Sequence, residues 1–319
     1  MKALIFSEGN GYGHAARDKL ISDHFDFPIM TFGKGVEYCA NNNMDFIEIP
    51  SPYILKTSSE KVKLVTEVPE LIGFLKPDVI TTIKNHFSKV DFVIVDGSPL
   101  GLAMAAMAGK KSIYITNDTS AIVGINGLLE KKLAFSLLHR LLKSTHAIIV
   151  PDFPPPLTIT INNLDISLPL KFAGPFAEKL PQKKGKKVLV TGNLEKIIRP
   201  FLGEMPLYGS KVGNIKSYYS NSSVVICHGG HTTIMEALSY GKPVICIVDR
   251  NYPERYQNAL MLEKLGVGVL LEMSLLSKQS LLVSIAYAQT LPKERLSLYK
   301  KYADSLKPIE TLKQIFSSL

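Results

Sequence analysis

Three glycines alternate along "SEGNGYGHAARD", Gly9, Gly11 and Gly13, and His14 and Arg17 follow closely. Glycines at this density let a backbone come close to a ligand. Histidine is the side chain whose ordinary pKa suits proton transfer near neutral pH. A second stretch, "VVICHGGHTTIMEALSYGKP", holds His228, Gly229, Gly230, Thr232, Thr233 and Glu236. Its buried strand should end at Cys227, turn through the glycines and start a helix near Thr232 or Thr233. N–H groups of a first helical turn have no intrahelical partner, so this turn reads as an anion site, with two threonine hydroxyls to add hydrogen bonds. Glu236, about a turn further on, is too far from the helix end to compete for the anion and suits a pair of vicinal hydroxyls. The opening loop is not a dinucleotide fingerprint, which needs a small residue where His14 stands. Nor is it a P-loop, since no Gly–Lys–Ser/Thr follows.

A histidine acting as a base needs a partner that fixes its tautomer. Asp96 closes the apolar run "FVIVD" and is the first candidate, with Asp118 in "TNDTS" the competitor. Asp96 reads equally well as a helix cap beside Gly97 and Ser98. A carboxylate behind His14 would hold the ring and stabilise the imidazolium, as the buried acid does in a Ser-His-Asp triad. Arg17 is either a contact to an anionic acceptor or one half of a surface ion pair. The seven histidines are scattered and no Asp-x-Asp motif exists, so neither a metal site nor a cofactor is expected. The helix dipole and hydroxyls at Thr232 and Thr233 would then stabilise a departing anion.

The elements that must position these residues are short apolar runs, among them "ALIFS", "FVIVDG", "SIYITN", "VLVTG", "VVICHGG" and "PVICIV", separated by helix-like segments. Strands apolar on both faces belong in a parallel sheet covered by helices, which predicts a doubly wound α/β fold. A chain of 319 residues suggests two domains. The rhythm breaks in the proline-rich stretch from Pro151 to Gln182, followed by "KKGKK". Residues 1–172 are therefore expected to form a first Rossmann-like domain, 173–186 a linker and 187–295 a second Rossmann-like domain. Residues 296–319 are expected as helices packing back on the first. Two such domains would face a central cleft, with ligands at the carboxyl ends of the strands. "LGLAMAAMAGK" reads as a core helix. Asn126–Ser144 has a wide apolar arc and a basic stripe of Lys132, His139 and Lys143, which fits a domain helix or a membrane-surface helix.

The C-terminal stretch resembles the donor-binding motif of GT-B glycosyltransferases, both the plant natural-product type and the type that makes lipid II. His228, Gly230, Thr232, Thr233, Glu236, Gly241 and Pro243 stand at that motif's spacings. "GYGHAAR" is similar to the Gly–x–Gly–His–x–x–Arg of the lipid II-type branch and of related nucleotide-sugar hydrolases. The resemblance implies that His228 and the helix start hold a donor diphosphate and Glu236 its ribose. Glu254, Arg255, Gln257 and Asn258 fall where the family contacts the donor sugar, but Arg255 stands in place of the family's glutamine and Gln257 comes two places late. Gly11, Gly13 and Arg17 fall on the acceptor side, with His14 and Asp96 as the base and its partner in an inverting transfer. Only about 30 residues separate "VLVTG" from "VVICHGG", so the C-terminal domain is expected to be trimmed. The implied partners are a UDP-sugar and a lipid or small-molecule acceptor. The alternatives are a nucleotide-sugar hydrolase and a non-catalytic sugar- or lipid-binding subunit.

Composition narrows the partners further. Lys+Arg is 37 against Asp+Glu 28, a formal net charge of +9. That balance suits an anionic small molecule or membrane surface, and the spread of basic residues disfavours nucleic acid. Three cysteines without a CxxC pair argue against a disulfide framework or zinc and for a reducing cytosol. No apolar run reaches the roughly 18 residues of a membrane span. The expected location is cytoplasmic, either free or peripheral on the inner face of the membrane.

Overall fold

The computed structural model describes residues 1–52, 56–58, 61–63, 77–118, 128–160, 162, 168–177, 180–181, 185, 187–203, 205, 207–209 and 215–319. They form two compact units. Unit 1 comprises Met1–Val150, Asp165–Lys171 and Gln314–Leu319, and unit 2 comprises Pro151–Leu164 and Phe172–Lys313.

Unit 1 runs β1 (Ala3–Ser7), α1 (Tyr12–Phe25), β2 (Ile29–Thr31), α2 (Lys34–Asn41), β3 (Phe46–Glu48), β4 (Lys56–Ser58), β5 (Lys61–Lys63), α3 (Pro77–Ser88), β6 (Phe92–Asp96), α4 (Pro99–Met107), β7 (Lys111–Ile115), α5 (Leu128–Ser144), β8 (Ala147–Val150) and β9 (Leu170–Phe172). Its main sheet has the order β3-β2-β1-β6-β7-β8-β9. The order reverses between β1 and β6, so a crevice opens beyond the carboxyl ends of these two strands. They pair in parallel with Ser7 opposite Asp96, and every residue of both is buried. Helices cover both faces of strands that read as continuous apolar runs. Gly101 in α4 shows how closely they lie, since a Cβ there would come within 2.5 Å of Phe6 Cδ1.

Unit 2 runs β10 (Lys187–Val190), α6 (Leu194–Leu202), β11 (Leu207–Gly209), α7 (Ile215–Asn221), β12 (Ser222–Cys227), α8 (His231–Ser239), β13 (Val244–Val248), α9 (Pro253–Lys264), β14 (Gly268–Glu272), α10 (Lys278–Thr290), α11 (Lys293–Ser305) and α12 (Pro308–Phe316). The sheet order is β11-β10-β12-β13-β14, with every pair parallel. The short span between β10 and β12 still holds a βα step, α6, β11 and α7. The proline-rich stretch is tied down by the buried Asp152 carboxylate, which accepts from the N–H groups of Phe153 (2.6 Å), Ile159 (3.0 Å) and Thr160 (3.0 Å).

The chain passes between units at places other than those expected. It leaves unit 1 after Val150, and only Asp165–Lys171 of the next stretch belong with it. The residues 296–319 divide as well, with the boundary inside α12 after Lys313. Leu296, Tyr299 and Ala303 of α11 are buried in the unit 2 core, and only Gln314–Leu319 join unit 1. There Phe316 packs against Phe25 (centroids 4.9 Å), Phe92 (5.1 Å) and Phe27 (5.9 Å). Residues 178–179, 182–184 and 186 of the expected linker, and 126–127 of the expected amphipathic helix, lie outside the described residues.

Candidate functional site

Unit 1 brings His14, Arg17 and Asp96 together at the carboxyl end of β6. α1 begins at Tyr12 with Gly11 at its N-cap, so Gly13 and His14 lie in its first turn rather than in the loop. His14 and Arg17 are three residues apart on one helix and therefore share a face. Both meet Asp96 at the end of β6. His14 Nδ1 is 2.8 Å from Asp96 Oδ1, Arg17 Nε donates to Oδ2 at 2.7 Å, and Arg17 Nη2 donates to Oδ1. Arg17 Nη1 also donates to Asn117 Oδ1 at 2.7 Å. The 3.1 Å between Arg17 Nη2 and His14 Nδ1 follows from two donors converging on one oxygen. An unprotonated Nδ1 would set its lone pair against the carboxylate, so the geometry favours Nδ1–H and leaves Nε2 as the basic nitrogen. Gly97 (φ 70°) lets the ring in, since a Cβ there would lie 2.2 Å from His14 Cε1.

Burial would raise the Asp96 pKa, but the adjacent Arg17 and His14 outweigh it and hold the carboxyl well below the usual range. Arg17 itself corrects an expectation. It is buried, and its guanidinium is taken up by Asp96 and Asn117, so it is not presented to an acceptor phosphate. Asp96 does not cap α4 either, because Ser98 Oγ accepts from Gly101 N–H in that role. Asp118 is not the histidine's partner; its backbone carbonyl accepts from Thr116 Oγ1. Sequence reasoning passed over Asp18, one residue beyond Arg17 and fully buried. Burial, and then the Asp96 charge, push its pKa well up. Its place four residues after His14 was the available signal.

Unit 2 gathers three strand ends. The β12–α8 turn passes through Gly229 (φ 77°) to Gly230, the N-cap of α8, where no side chain caps the first-turn N–H groups. Thr232 and Thr233 of that turn are half-buried. From β10 comes Gly192 (φ 65°), where a Cβ would lie 3.7 Å from His228 Cδ2. From β13 comes the first turn of α9, packed so tightly on the glycines that a Cβ at Gly229 would lie 2.8 Å from the Arg255 carbonyl oxygen. The turn is braced from below. Cys227 Sγ accepts from Gly229 N–H at 3.4 Å, and Asn258 Nδ2 donates to Gly229 O at 3.1 Å. Asn258 is thus buried under the turn, a correction to its expected place among the sugar contacts. Gln257 and Glu254 are exposed on α9, and Gln257 Oε1 accepts from Asn162 Nδ2 at 3.4 Å.

Burial, and then the Arg255 charge, lower the His228 pKa, and a backbone hydrogen bond at Ile247 opposes them. Glu236 is half-buried on α8, and burial raises it to about 7 against the nearby Tyr219 phenol, which lowers it. The helix starts at His231, earlier than the threonines, and this residue had not been singled out. His231 is buried and its Nε2 lies 3.2 Å from Asp152 Oδ2, tying the helix start to the proline-rich stretch. A separation of 79 residues left no sequence signal for that pair. Among the described residues no group of three or more His, Cys, Asp or Glu could hold a metal ion.

Comparisons with known proteins bear on both units. Residues 210–314 match the glycosyltransferase family 28 C-terminal domain. An uncharacterized glycosyltransferase of Methanosarcina acetivorans is 26% identical over 332 aligned positions, covering 86% of each chain. Two solved structures share the fold over nearly their full length. Phytolacca americana UGT2, complexed with UDP-2fluoro-glucose and pterostilbene, aligns at a TM-score of 0.69 and 12% identity over 100% of both chains. Streptomyces sp. SF2575 glycosyltransferase SsfS6, complexed with thymidine diphosphate, aligns at 0.66 and 14% identity over 99% of both.

Proposed function

We propose that this chain, a glycosyltransferase of the GT-B fold with a family 28 C-terminal domain, transfers a sugar with inversion from a nucleotide-diphosphate donor, a UDP-sugar, to a hydroxyl of a lipid or small molecule. The observation that carries this reading is the His14–Asp96 pair at 2.8 Å. The acceptor hydroxyl gives its proton to His14 Nε2 as its oxygen bonds to the anomeric carbon. The bond from that carbon to the diphosphate breaks, and its electron pair leaves on the diphosphate oxygen. Asp96, held ionised and oriented by Arg17, stabilises the imidazolium. The departing charge meets the uncapped first turn of α8 and the hydroxyls of Thr232 and Thr233, a form of stabilisation that needs no metal. Glu236 takes the ribose hydroxyls.

The test is product analysis with a UDP-sugar in EDTA, with and without acceptor. Transfer that persists in EDTA and gives the inverted anomer supports the reading. His14→Ala should cut turnover by about 10²-fold or more while donor affinity stays within twofold, the signature of a lost general base. Free sugar released at full rate without acceptor would replace the transferase with a hydrolase using the same site. Unchanged function in His14→Ala would leave only a non-catalytic binding role.

A further inference from the structure

Arg255 is the point at which this chain leaves its family's pattern, and its surroundings give it a role of its own. It lies in the first turn of α9, exposed, with its backbone against Gly229 of the anion-binding turn. Its guanidinium carbon stands over the Tyr252 ring, 5.2 Å from the centroid. A cation at that distance is attracted by the ring's negative face and held in one direction. The neighbouring Arg250 is committed elsewhere, with Nε donating to both Glu272 oxygens at 3.0 Å. Among the described residues no carboxylate pairs with Arg255. The charge of Arg255 also falls on His228 and Cys227, the two residues that lead into the glycine turn. Burial first, and then the Arg255 charge, lower the His228 pKa, and the Arg255 guanidinium places a positive charge beside the turn.

We infer that Arg255 binds the donor's diphosphate, supplying the fixed positive charge at the α8 turn, and does not read the sugar hydroxyls as a glutamine at this position would. The inference rests on the proposed nucleotide-sugar site. When the bond between the anomeric carbon and the diphosphate breaks, the new negative charge forms beside a guanidinium that offers paired donors to phosphate oxygens. Arg255 then acts in both binding and leaving-group departure.

The test uses the full-length protein and calorimetric titration with uridine and thymidine diphosphates and the matching monophosphates. Arg255→Gln, which installs the family's own residue, should weaken nucleoside diphosphate binding about tenfold or more. The monophosphates should change by less than threefold, and Arg255→Lys should recover part of the loss. A circular-dichroism melt matching the parent shows that Arg255→Gln still folds. If Arg255→Gln binds diphosphates as well as the parent, or changes only which donor sugar is consumed, the inference is overturned while the proposed function stands. If the parent itself binds neither diphosphate, the nucleotide-sugar reading fails and the inference with it.

Discussion

At the scale of single residues, the ribose contact proposed for Glu236 ties donor binding to the pH at which this carboxyl ionises. Burial raises its pKa to about 7, so its carboxylate is half protonated near neutrality. Two ribose hydroxyls donate best to an ionised carboxylate, and the neutral acid gives up part of that capacity. Nucleoside diphosphate affinity should therefore rise between pH 6 and pH 8, by at most about tenfold. The slope should vanish in Glu236→Gln, as titration calorimetry across that range would show. A Glu236→Gln variant that keeps the full slope would move the titration to another group. The His14–Asp96 pairing was legible in the sequence because a strand-end aspartate and a histidine after the first strand are brought to one edge by parallel pairing. Arg17's partner follows from its three-residue spacing to His14: of an anionic acceptor contact and a surface ion pair, the ion pair is the one that forms, but with Asp96 and buried. Nothing in the chain linked Asp152 to His231, since their contact is made only by the folded path of the proline-rich stretch.

At the scale of elements, positions are set by glycines where strands turn into helices. Gly97 combines a positive φ with the close face of the His14 ring. A side chain there strains the backbone and displaces the imidazole from Asp96. Gly97→Ala should lower turnover by about 10²-fold, near the effect of losing the base, while nucleoside diphosphate affinity in unit 2 is unchanged. Steady-state kinetics beside a binding titration checks this. Equal losses of both would point to general unfolding. The central strands were readable because each is a continuous apolar run. β9 ("LKF") and β11 ("LYG") were not, because three-residue strands at the sheet edges need little burial on either face and carry no periodic signal. The segment around β9 is also rich in proline, which argues against a central strand but not against an edge.

At the scale of the whole molecule, the net charge of +9 and one helix bear on where the acceptor is met. On α5, Phe135 (44% exposed) and Leu137 (53%) stand out from the surface, and Lys132, Arg140 and Lys143 are exposed on the same helix. Among the described residues no helix is long and apolar enough to cross a membrane. Apolar side chains flanked by basic ones bind weakly at an anionic interface, with the electrostatic part screened by salt. The protein should co-float with phosphatidylglycerol vesicles at low salt and be released at high salt, and Phe135→Ser with Leu137→Ser should abolish flotation. Absence of flotation in the parent would remove the support for a lipid acceptor and leave a small soluble one.

The seating of Phe316 among Phe25, Phe27 and Phe92 has a consequence for synthesis. Domains tend to fold as they emerge, the first-made first. Here the aromatic cluster of unit 1 gains its last ring only after all of unit 2 has been translated. The first unit begun is therefore the last completed, because its aromatic cluster lacks one ring until Phe316 has been made.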